Sequence, residues 1–393
     1  MEQHNITSEA IDLVRFPLAV MVVYIHSIIS PEEAFYMPAD YTHLSGMDIY
    51  NLVRSFGSHV FSCIAVPTFF LISGYLFYKR IEIWDWNIWK GKIKSRIHSL
   101  VIPYLIWCVI AVLWKPSVWE PYIRIPIYKL GAVILKGKPL HGIVDYWNSL
   151  EPVKINWFHE LWDYHKWGGI NLNWLGNHTV HNTGPYLLHF WFIRDLIVVV
   201  LLSPFIYWLV KKLGLWFVGF MGFLFVSGIW IDIHGLGSTS IFFFSLGAYF
   251  TIKQRDLCKS LYPYRWVFYI LYIILLPLMV YLDGVQTYGG MALYVIIGVM
   301  AILCFSYYLT KDKGVRKKPL LVDCCFFVYA FHTFINKDHI FRYVNKIIGD
   351  SSSFQQILSY LFSPLITTAV CVSIYYCLRR WHPSFCKVLT GGR

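Results

Sequence analysis

Apolar residues recur along the chain in runs long enough for helices that cross a membrane. A span of ~30 Å of hydrocarbon requires about 20 apolar residues, with a range of roughly 17–25. The pattern therefore predicts an all-α membrane protein, a bundle of about ten transmembrane helices around a central polar passage. The predicted spans are residues 11–30, 58–78, 98–114, 186–209, 213–231, 238–252, 266–282, 290–309, 320–336 and 355–378.

The distribution of Lys and Arg gives these spans an orientation. If the N-terminus is cytoplasmic, the segments after the second, fourth, sixth, eighth and tenth spans are all basic, as expected for cytoplasmic segments. The outer turns at 232–237 and 283–289 contain no Lys or Arg. A further apolar stretch covers residues 121–135. If it crossed the membrane, every later basic cluster would lie on the outer side. We therefore expect this stretch to be re-entrant or interfacial and both termini to be cytoplasmic.

Composition supports membrane residence. Hydrophobic residues make up 57% of the 393 residues and charged residues only 14%, against roughly 25% charged in soluble proteins. The net charge of +12 lies in the short basic clusters between apolar runs. The basic clusters lie in the predicted cytoplasmic segments, and this accounts for the positive net charge. Membrane lipid is therefore an expected partner, and nucleic acid is not. No oligomeric state is predicted.

The chain is interpreted as one integral-membrane domain, 1–393, with an outward-facing loop at about 115–185 that is rich in Trp and His. Tryptophans in such a loop form either a belt at the lipid headgroups or a lid and sugar-stacking platform over a site in the membrane. Its histidines lack the spacing of a zinc site, so no metal is expected.

The first predicted span carries three ionisable residues, Asp12, Arg15 and His26. Eleven residues of helix bring His26 to within about 20° of Arg15, about 16 Å along the axis. Asp12 lies one turn before Arg15 and is placed to pair with it. Ionisable groups inside a membrane are functional candidates, and an imidazole can take a proton from an alcohol. A histidine bonded only for packing is the alternative interpretation.

Five motifs in order resemble the acyltransferase family 3, a group of bacterial membrane proteins. Arg15 and His26 match the family's Arg-x10-His signature. The other similar segments are residues 69–75, 94–104, 191–196 and 329–332. Ser99 departs from the family pattern, because many members have a second Arg of an Arg-x-x-Arg motif there.

The resemblance implies transfer of an acyl group, by default acetyl, from acyl-CoA to a hydroxyl of a carbohydrate or cell-envelope glycan precursor at the bacterial cytoplasmic membrane. His26 would act as general base or transient acyl carrier, and Arg15 with Asp12 would orient the donor. The residues expected to bind CoA are Lys92, Lys94 and Arg96. Those expected to contact substrate are Trp191, Arg194, Tyr329 and His332.

Two of these assignments keep an alternative. Arg194 either holds the acceptor or the outer loop, or forms an ion pair with Asp195 that fixes packing. His332 is either a second acid–base group or a hydrogen-bonded core histidine. Ser73 and Gly74 are expected to allow close approach of helices.

A transporter or flippase of glycan or lipid intermediates is the rival function. Such proteins often contain two-fold internal repeats, and this sequence has none that we detect. A carrier that feeds acyl groups to a separate transferase is a third interpretation. Release of CoA by the purified protein would distinguish an enzyme from a transporter.

Overall fold

The computed structural model describes residues 6–27, 38, 40–79, 81, 84–120, 127, 129–130, 145, 149, 154–172, 178–231, 233–282 and 288–392. Each of the ten predicted apolar segments contains helix among its described residues. In the first half of the chain the helices are α1 (Ile6–Ile25), α2 (Gly46–Arg54), α3 (Ala65–Tyr78), α4 (Trp86–Arg96), α5 (Ile102–Leu113), α6 (Pro116–Trp119) and α7 (Trp157–Trp162).

The second half of the chain begins with a hairpin and continues as helices. The hairpin consists of β1 (His165–Leu172) and β2 (His178–Gly184), followed by a 3-10 turn at Leu188–Phe190. The helices that follow are α8 (Trp191–Leu201), α9 (Ser203–Leu213), α10 (Leu215–Ser227), α11 (Ser238–Ile252), α12 (Leu257–Leu261), α13 (Arg265–Leu282), α14 (Tyr288–Lys311), α15 (Pro319–Ile335), α16 (Arg342–Ile348), α17 (Ser353–Trp381) and α18 (Pro383–Thr390).

Polar caps define where several helices begin. Ser45 and Asp48 form a reciprocal capping box at the start of α2, and Ser352 and Gln355 form one at the start of α17. The Asp85 carboxylate accepts from the Ile88 N–H at the start of α4. These side chains satisfy amide groups that the first helical turn leaves without partners.

In the described part of the chain, five helical runs are long and apolar enough to cross a membrane, and counting two bent pairs as spans gives seven. The bends are 66° between α8 and α9 and 64° after α15. The chain is therefore a membrane protein. The five unbroken runs are Gly46–Tyr78, Trp86–Leu113, Leu257–Leu282, Gly289–Lys311 and Ser353–Trp381.

The other three predicted spans fall outside this count for physical reasons. Helix α1 carries Glu9, Asp12 and Arg15, and helices α10 and α11 have only 13 and 15 residues. At about 1.5 Å per residue, these last two reach roughly 20–23 Å. Ten spans, a central passage and cytoplasmic termini stay predictions.

The outer loop contains a β-hairpin that the all-α prediction did not include. β1 and β2 pair antiparallel from His165 opposite Gly184 to Leu172 opposite His178, with an irregularity between Trp167 and Ile170. An open two-stranded sheet has unpaired edge groups that need water, so it belongs outside the hydrocarbon. The 121–135 stretch, apart from residues 127, 129 and 130, lies outside the described residues.

Helices α3 and α11 cross in close contact at two glycines. A Cβ on Gly74 would lie 2.0 Å from the carbonyl oxygen of Phe244, and one on Gly247 would lie 2.0 Å from that of Leu71. Only glycine lets the two backbones approach this closely. The close approach expected at Ser73 and Gly74 is therefore confirmed.

A buried histidine cluster as candidate active site

Three imidazole rings from distant parts of the sequence meet inside the bundle. His26 follows the last turn of α1, His189 lies in the 3-10 turn before α8, and His332 lies in the last turn of α15. Ring centroids are 5.5 Å apart for His26 and His189, 5.4 Å for His26 and His332, and 4.7 Å for His189 and His332. His189 and His332 are buried, whereas His26 is partly exposed. The cluster therefore combines one partly exposed histidine with two buried ones.

Side chains from other elements hold the end of α1 and thereby place His26. Ser58 Oγ donates to the Tyr24 carbonyl at 2.5 Å. Asn336 Nδ2 donates to Ser27 Oγ at 3.0 Å and to the His26 carbonyl at 3.4 Å. These bonds satisfy carbonyls that a helix C-terminus leaves without intrahelical partners. The backbone of His26 is therefore fixed, and its ring is left available for a ligand.

The tautomer of His332 follows from its hydrogen bonds. Nδ1 lies 3.1 Å from the Val328 carbonyl oxygen and 2.8 Å from that of Tyr329. A carbonyl only accepts, so Nδ1 carries the proton and Nε2 presents a lone pair. Nε2 is buried and has no hydrogen-bond partner among the described residues. His332 is thus hydrogen-bonded as a core histidine and also keeps a basic nitrogen for chemistry.

His189 is the member of the cluster that the sequence analysis missed. Both of its ring nitrogens are buried without a hydrogen-bond partner in the described part of the chain. The Tyr329 hydroxyl donates to the His189 carbonyl, and the rings of Tyr329 and Phe190 stack at 5.5 Å. Tyr329 therefore positions this turn. The signal for His189 was an ionisable residue within the predicted span 186–209.

An unpaired nitrogen inside a protein costs roughly 1–3 kcal/mol, and His189 and His332 together contribute three. Such unpaired nitrogens mark a place where a bound polar ligand or an added proton supplies the missing hydrogen bond. Across the described residues, no three His, Cys, Asp or Glu side chains are arranged to hold a metal ion. The cluster is suited to hydrogen bonding and proton transfer with a hydroxyl group.

The predicted pairing of Asp12 with Arg15 is confirmed, with Arg15 Nη1 2.9 Å from Asp12 Oδ1. Asp12 also accepts from Lys317 Nζ at 2.5 Å, and Glu9 pairs with Arg316 at 2.5 Å. These ion pairs join the N-terminal half of α1 to the segment before α15. Arg15 is eleven residues from His26, about 16 Å along a helix, so the two side chains lie at different levels of the bundle.

The three residues expected to bind CoA do not share one face. Lys92 Nζ and the Arg96 guanidinium lie 5.8 and 5.7 Å from the centre of the Phe77 ring. Lys94 is exposed, and two residues of helix turn it about 200° away from Lys92. Arg96 is also within electrostatic range of Arg15. Only Lys92 and Arg96 therefore form a cationic pair beside the bundle.

Arg194 is buried and bonded to protein groups. It pairs with Asp195 at 2.8 Å and donates to the Trp162 carbonyl at 2.6 Å. It also donates to Thr183 Oγ1 at 3.0 Å and to the Thr183 carbonyl at 2.7 Å. The ion pair with Asp195 that was the alternative role of Arg194 is therefore present, and the remaining contacts join α8 to α7 and β2. Contact of Arg194 with substrate stays a prediction.

Further contacts fix the outer loop beside the cluster. Tyr104 stacks on Phe190 at 5.8 Å, and its hydroxyl donates to the Leu161 carbonyl. The Trp191 ring lies 6.1 Å from that of Phe70. Helix α7 is thereby tied to the turn that carries His189, and Trp191 packs at the start of α8. Substrate contact by Trp191 stays a prediction.

A lysine clamp closes the base of the loop. Lys115 pairs with Glu160, and its Nζ lies 4.1 and 3.9 Å from the ring centres of Tyr164 and Tyr186. Burial lowers the pKa of His165, so its ring is neutral at pH 7 and Nε2 donates to the Tyr186 carbonyl at 3.1 Å. These contacts hold the start of the hairpin against the end of α5.

Comparison with known proteins gives a family match. No curated protein and no solved structure matches the chain. The acyltransferase domain of acyltransferase family 3 matches residues 8–376, nearly the whole chain, and includes all three histidines of the cluster. The chain therefore belongs to this acyltransferase family.

Proposed function

We propose that this acyltransferase moves an acyl group, acetyl by default, from acyl-CoA to a hydroxyl of a carbohydrate or a cell-envelope glycan precursor. The observation that carries the proposal is the histidine cluster, where the partly exposed His26 lies against two buried imidazoles. An alcohol needs a base as it attacks a thioester. The imidazole nitrogens of the cluster can serve as this base.

In the proposed direct reaction, a nitrogen of His26 takes the proton of the acceptor hydroxyl. The hydroxyl oxygen then bonds to the thioester carbonyl carbon, the carbon–sulfur bond breaks, and the thiolate leaves and takes the proton from the imidazolium. His332 positions His26 and shares the proton through its free Nε2. In the covalent variant, the His26 nitrogen first bonds to the thioester carbonyl carbon, and the CoA thiolate leaves. The acceptor hydroxyl oxygen then bonds to that carbon and gives its proton to His332 Nε2, the carbon–nitrogen bond breaks, and His332 passes the proton to the thiolate.

The donor enters from the inner end of the bundle in this proposal. Lys92 and Arg96 bind the phosphates of CoA, because a cationic pair can form charge-assisted hydrogen bonds with phosphate oxygens. Arg15, held by Asp12, orients the pantetheine arm along the predicted passage toward His26. The basic clusters support a cytoplasmic location for this end, and the proposed membrane is the bacterial cytoplasmic membrane.

Replacing both Lys92 and Arg96 with alanine is expected to raise KM for acetyl-CoA by roughly tenfold or more. Each lost hydrogen bond to a charged group contributes about 1.5–3 kcal/mol at most, and part of this is screened by water. Because these contacts are equal in ground and transition states, kcat should change little. The measurement is steady-state release of CoA by the purified protein. The matched control is Lys94→Ala, for which we expect a change below about twofold. An equal effect of both variants would contradict a specific role for the pair.

The proposed activity is tested directly with purified protein, acetyl-CoA and candidate glycans. We expect free thiol to appear in proportion to glycan, together with a matching mass increase of the glycan in mass spectrometry. A reaction without glycan controls for hydrolysis of the donor. If proteoliposomes containing the protein moved a glycan across the bilayer without releasing CoA, the protein would be a transporter and this proposal would be wrong.

A further inference from the structure

A second polar site lies at the basic end of the bundle. The start of α1, helix α12 and the facing ends of α13 and α14 surround a cleft of about 1010 Å³. It is distinct from the histidine cluster, because the nineteen residues of helix from Thr7 to His26 correspond to about 28 Å. The side chains that decide its chemistry are Thr7, Asp256, Lys259, Tyr262, Arg265 and Lys311.

The carboxylates of the cleft are engaged by uncharged donors. Asp256 Oδ1 accepts from Thr7 Oγ1 at 2.6 Å and from the Lys259 N–H at 2.8 Å, where it caps α12. Asp312 accepts from the Tyr262 hydroxyl. Both carboxylates therefore have structural hydrogen bonds, and neither neutralises a lysine or arginine directly.

The cations of the cleft have no acidic partner. Of the described residues, no carboxylate lies within ion-pair distance of Lys259, Arg265 or Lys311. Arg265 and Lys311 lie 4.3 and 5.0 Å from the centre of the Tyr262 ring, which holds them on one side of the cleft. Three cations around one volume form an arrangement that suits an anion with several oxygens.

The surroundings of the cleft match the headgroup region of a bilayer. Helix α13 faces outward, since Met279 is its only buried residue in the described chain. Tyr264 and Trp266, next to the cleft, are 62% and 63% exposed. Aromatic side chains of this kind concentrate where hydrocarbon meets headgroups. Exposed aromatic residues beside the cleft are thus typical of the depth at which lipid phosphates lie.

From this geometry we infer that the cleft is a phosphate-ester site that takes the headgroup of an anionic phospholipid in the inner leaflet. Lys259 and Lys311 bind the phosphate oxygens, Arg265 contributes a planar donor pair, and the exposed face of α13 contacts the acyl chains. A soluble nucleotide carries the same kind of phosphate group. Separate measurements of lipid binding and nucleotide binding therefore show which of the two ligands the cleft takes.

The test is a titration of the purified protein with short-chain phosphatidylglycerol, short-chain phosphatidylcholine and ADP, followed by tryptophan fluorescence. We expect phosphatidylglycerol to bind more tightly than phosphatidylcholine. A basic residue near an anionic lipid surface contributes about 1 kcal/mol. Lys259→Ala combined with Lys311→Ala should therefore weaken phosphatidylglycerol binding by about 30-fold. Both lysines are exposed, so this variant is expected to fold.

The matched control is Lys211→Ala combined with Lys212→Ala, which removes two exposed lysines from the last turn of α9. These residues do not line the cleft, and we expect affinity within about twofold of the parent. Binding of ADP that depends on Lys259 and Lys311, without binding of phosphatidylglycerol, would support the phosphate site and assign it to a nucleotide. Equal losses in both variants, or no loss in either, would overturn the inference.

Discussion

His26→Ala is expected to lower kcat for acyl transfer by about 10²–10⁴-fold, the usual contribution of a positioned general base. His26 is the least buried member of the cluster and is the ring proposed to meet substrate. Its backbone is held by Asn336, while its ring makes no hydrogen bond among the described residues. The substitution should therefore leave the fold intact. The measurement is CoA release by purified protein, with thermal unfolding to verify stability.

The control for this prediction is His382→Ala, which removes an exposed imidazole after α17 and should leave kcat within about twofold. A folded His26→Ala enzyme with the parent's rate would contradict the catalytic role. The double variant His26→Ala, His332→Ala gives a sharper test. Residues that act as a unit show non-additive losses, so the double variant should be little slower than His26→Ala alone.

Local features of the sequence led to part of this site. The three-residue separation of Asp12 and Arg15 on a helix predicts their ion pair, which the structure contains at 2.9 Å. The small pair Ser73 and Gly74 predicts the close helix crossing. Helical periodicity alone places Lys94 on a different face from Lys92 and Arg96, although all three were expected to bind CoA because of their charge. Such features depend on neighbours within a few turns, and sequence pattern is informative there.

The cluster itself depends on contacts that no local pattern encodes. His26 and His332 are 306 positions apart in sequence, yet their rings meet at 5.4 Å. His189 lies two residues before the motif that begins at Trp191, outside all five motifs. The strands of the hairpin are polar, so apolar runs of helical length do not reveal them. Packing of distant helices decides these features.

Gly74→Ala is expected to destabilise the protein by about 3 kcal/mol or more, at the upper end of the range for overpacking. The added Cβ would lie 2.0 Å from the Phe244 carbonyl oxygen and 2.8 Å from its carbon. Both atoms belong to the backbone, so no side-chain rotation relieves the contact, and α3 and α11 must separate. Stabilities are only about 5–15 kcal/mol. We expect a lower Tm and a reduced folded yield, measured by thermal unfolding in detergent and by size-exclusion chromatography.

Gly247→Ala should have the same effect from the opposite helix, because its Cβ would meet the Leu71 carbonyl oxygen at 2.0 Å. Gly219→Ala in α10 is the matched control, since no atom lies within 4 Å of the added Cβ. There the change removes only the backbone entropy cost of a helical glycine, about 0.5–1 kcal/mol, and is expected to be neutral or stabilising. A Gly74→Ala protein as stable as the Gly219→Ala protein would show that α3 and α11 do not cross in backbone contact. A Gly74→Ala protein less stable than the Gly219→Ala protein would instead show that the instability comes from forcing α3 and α11 apart, and not from a general cost of altering glycine.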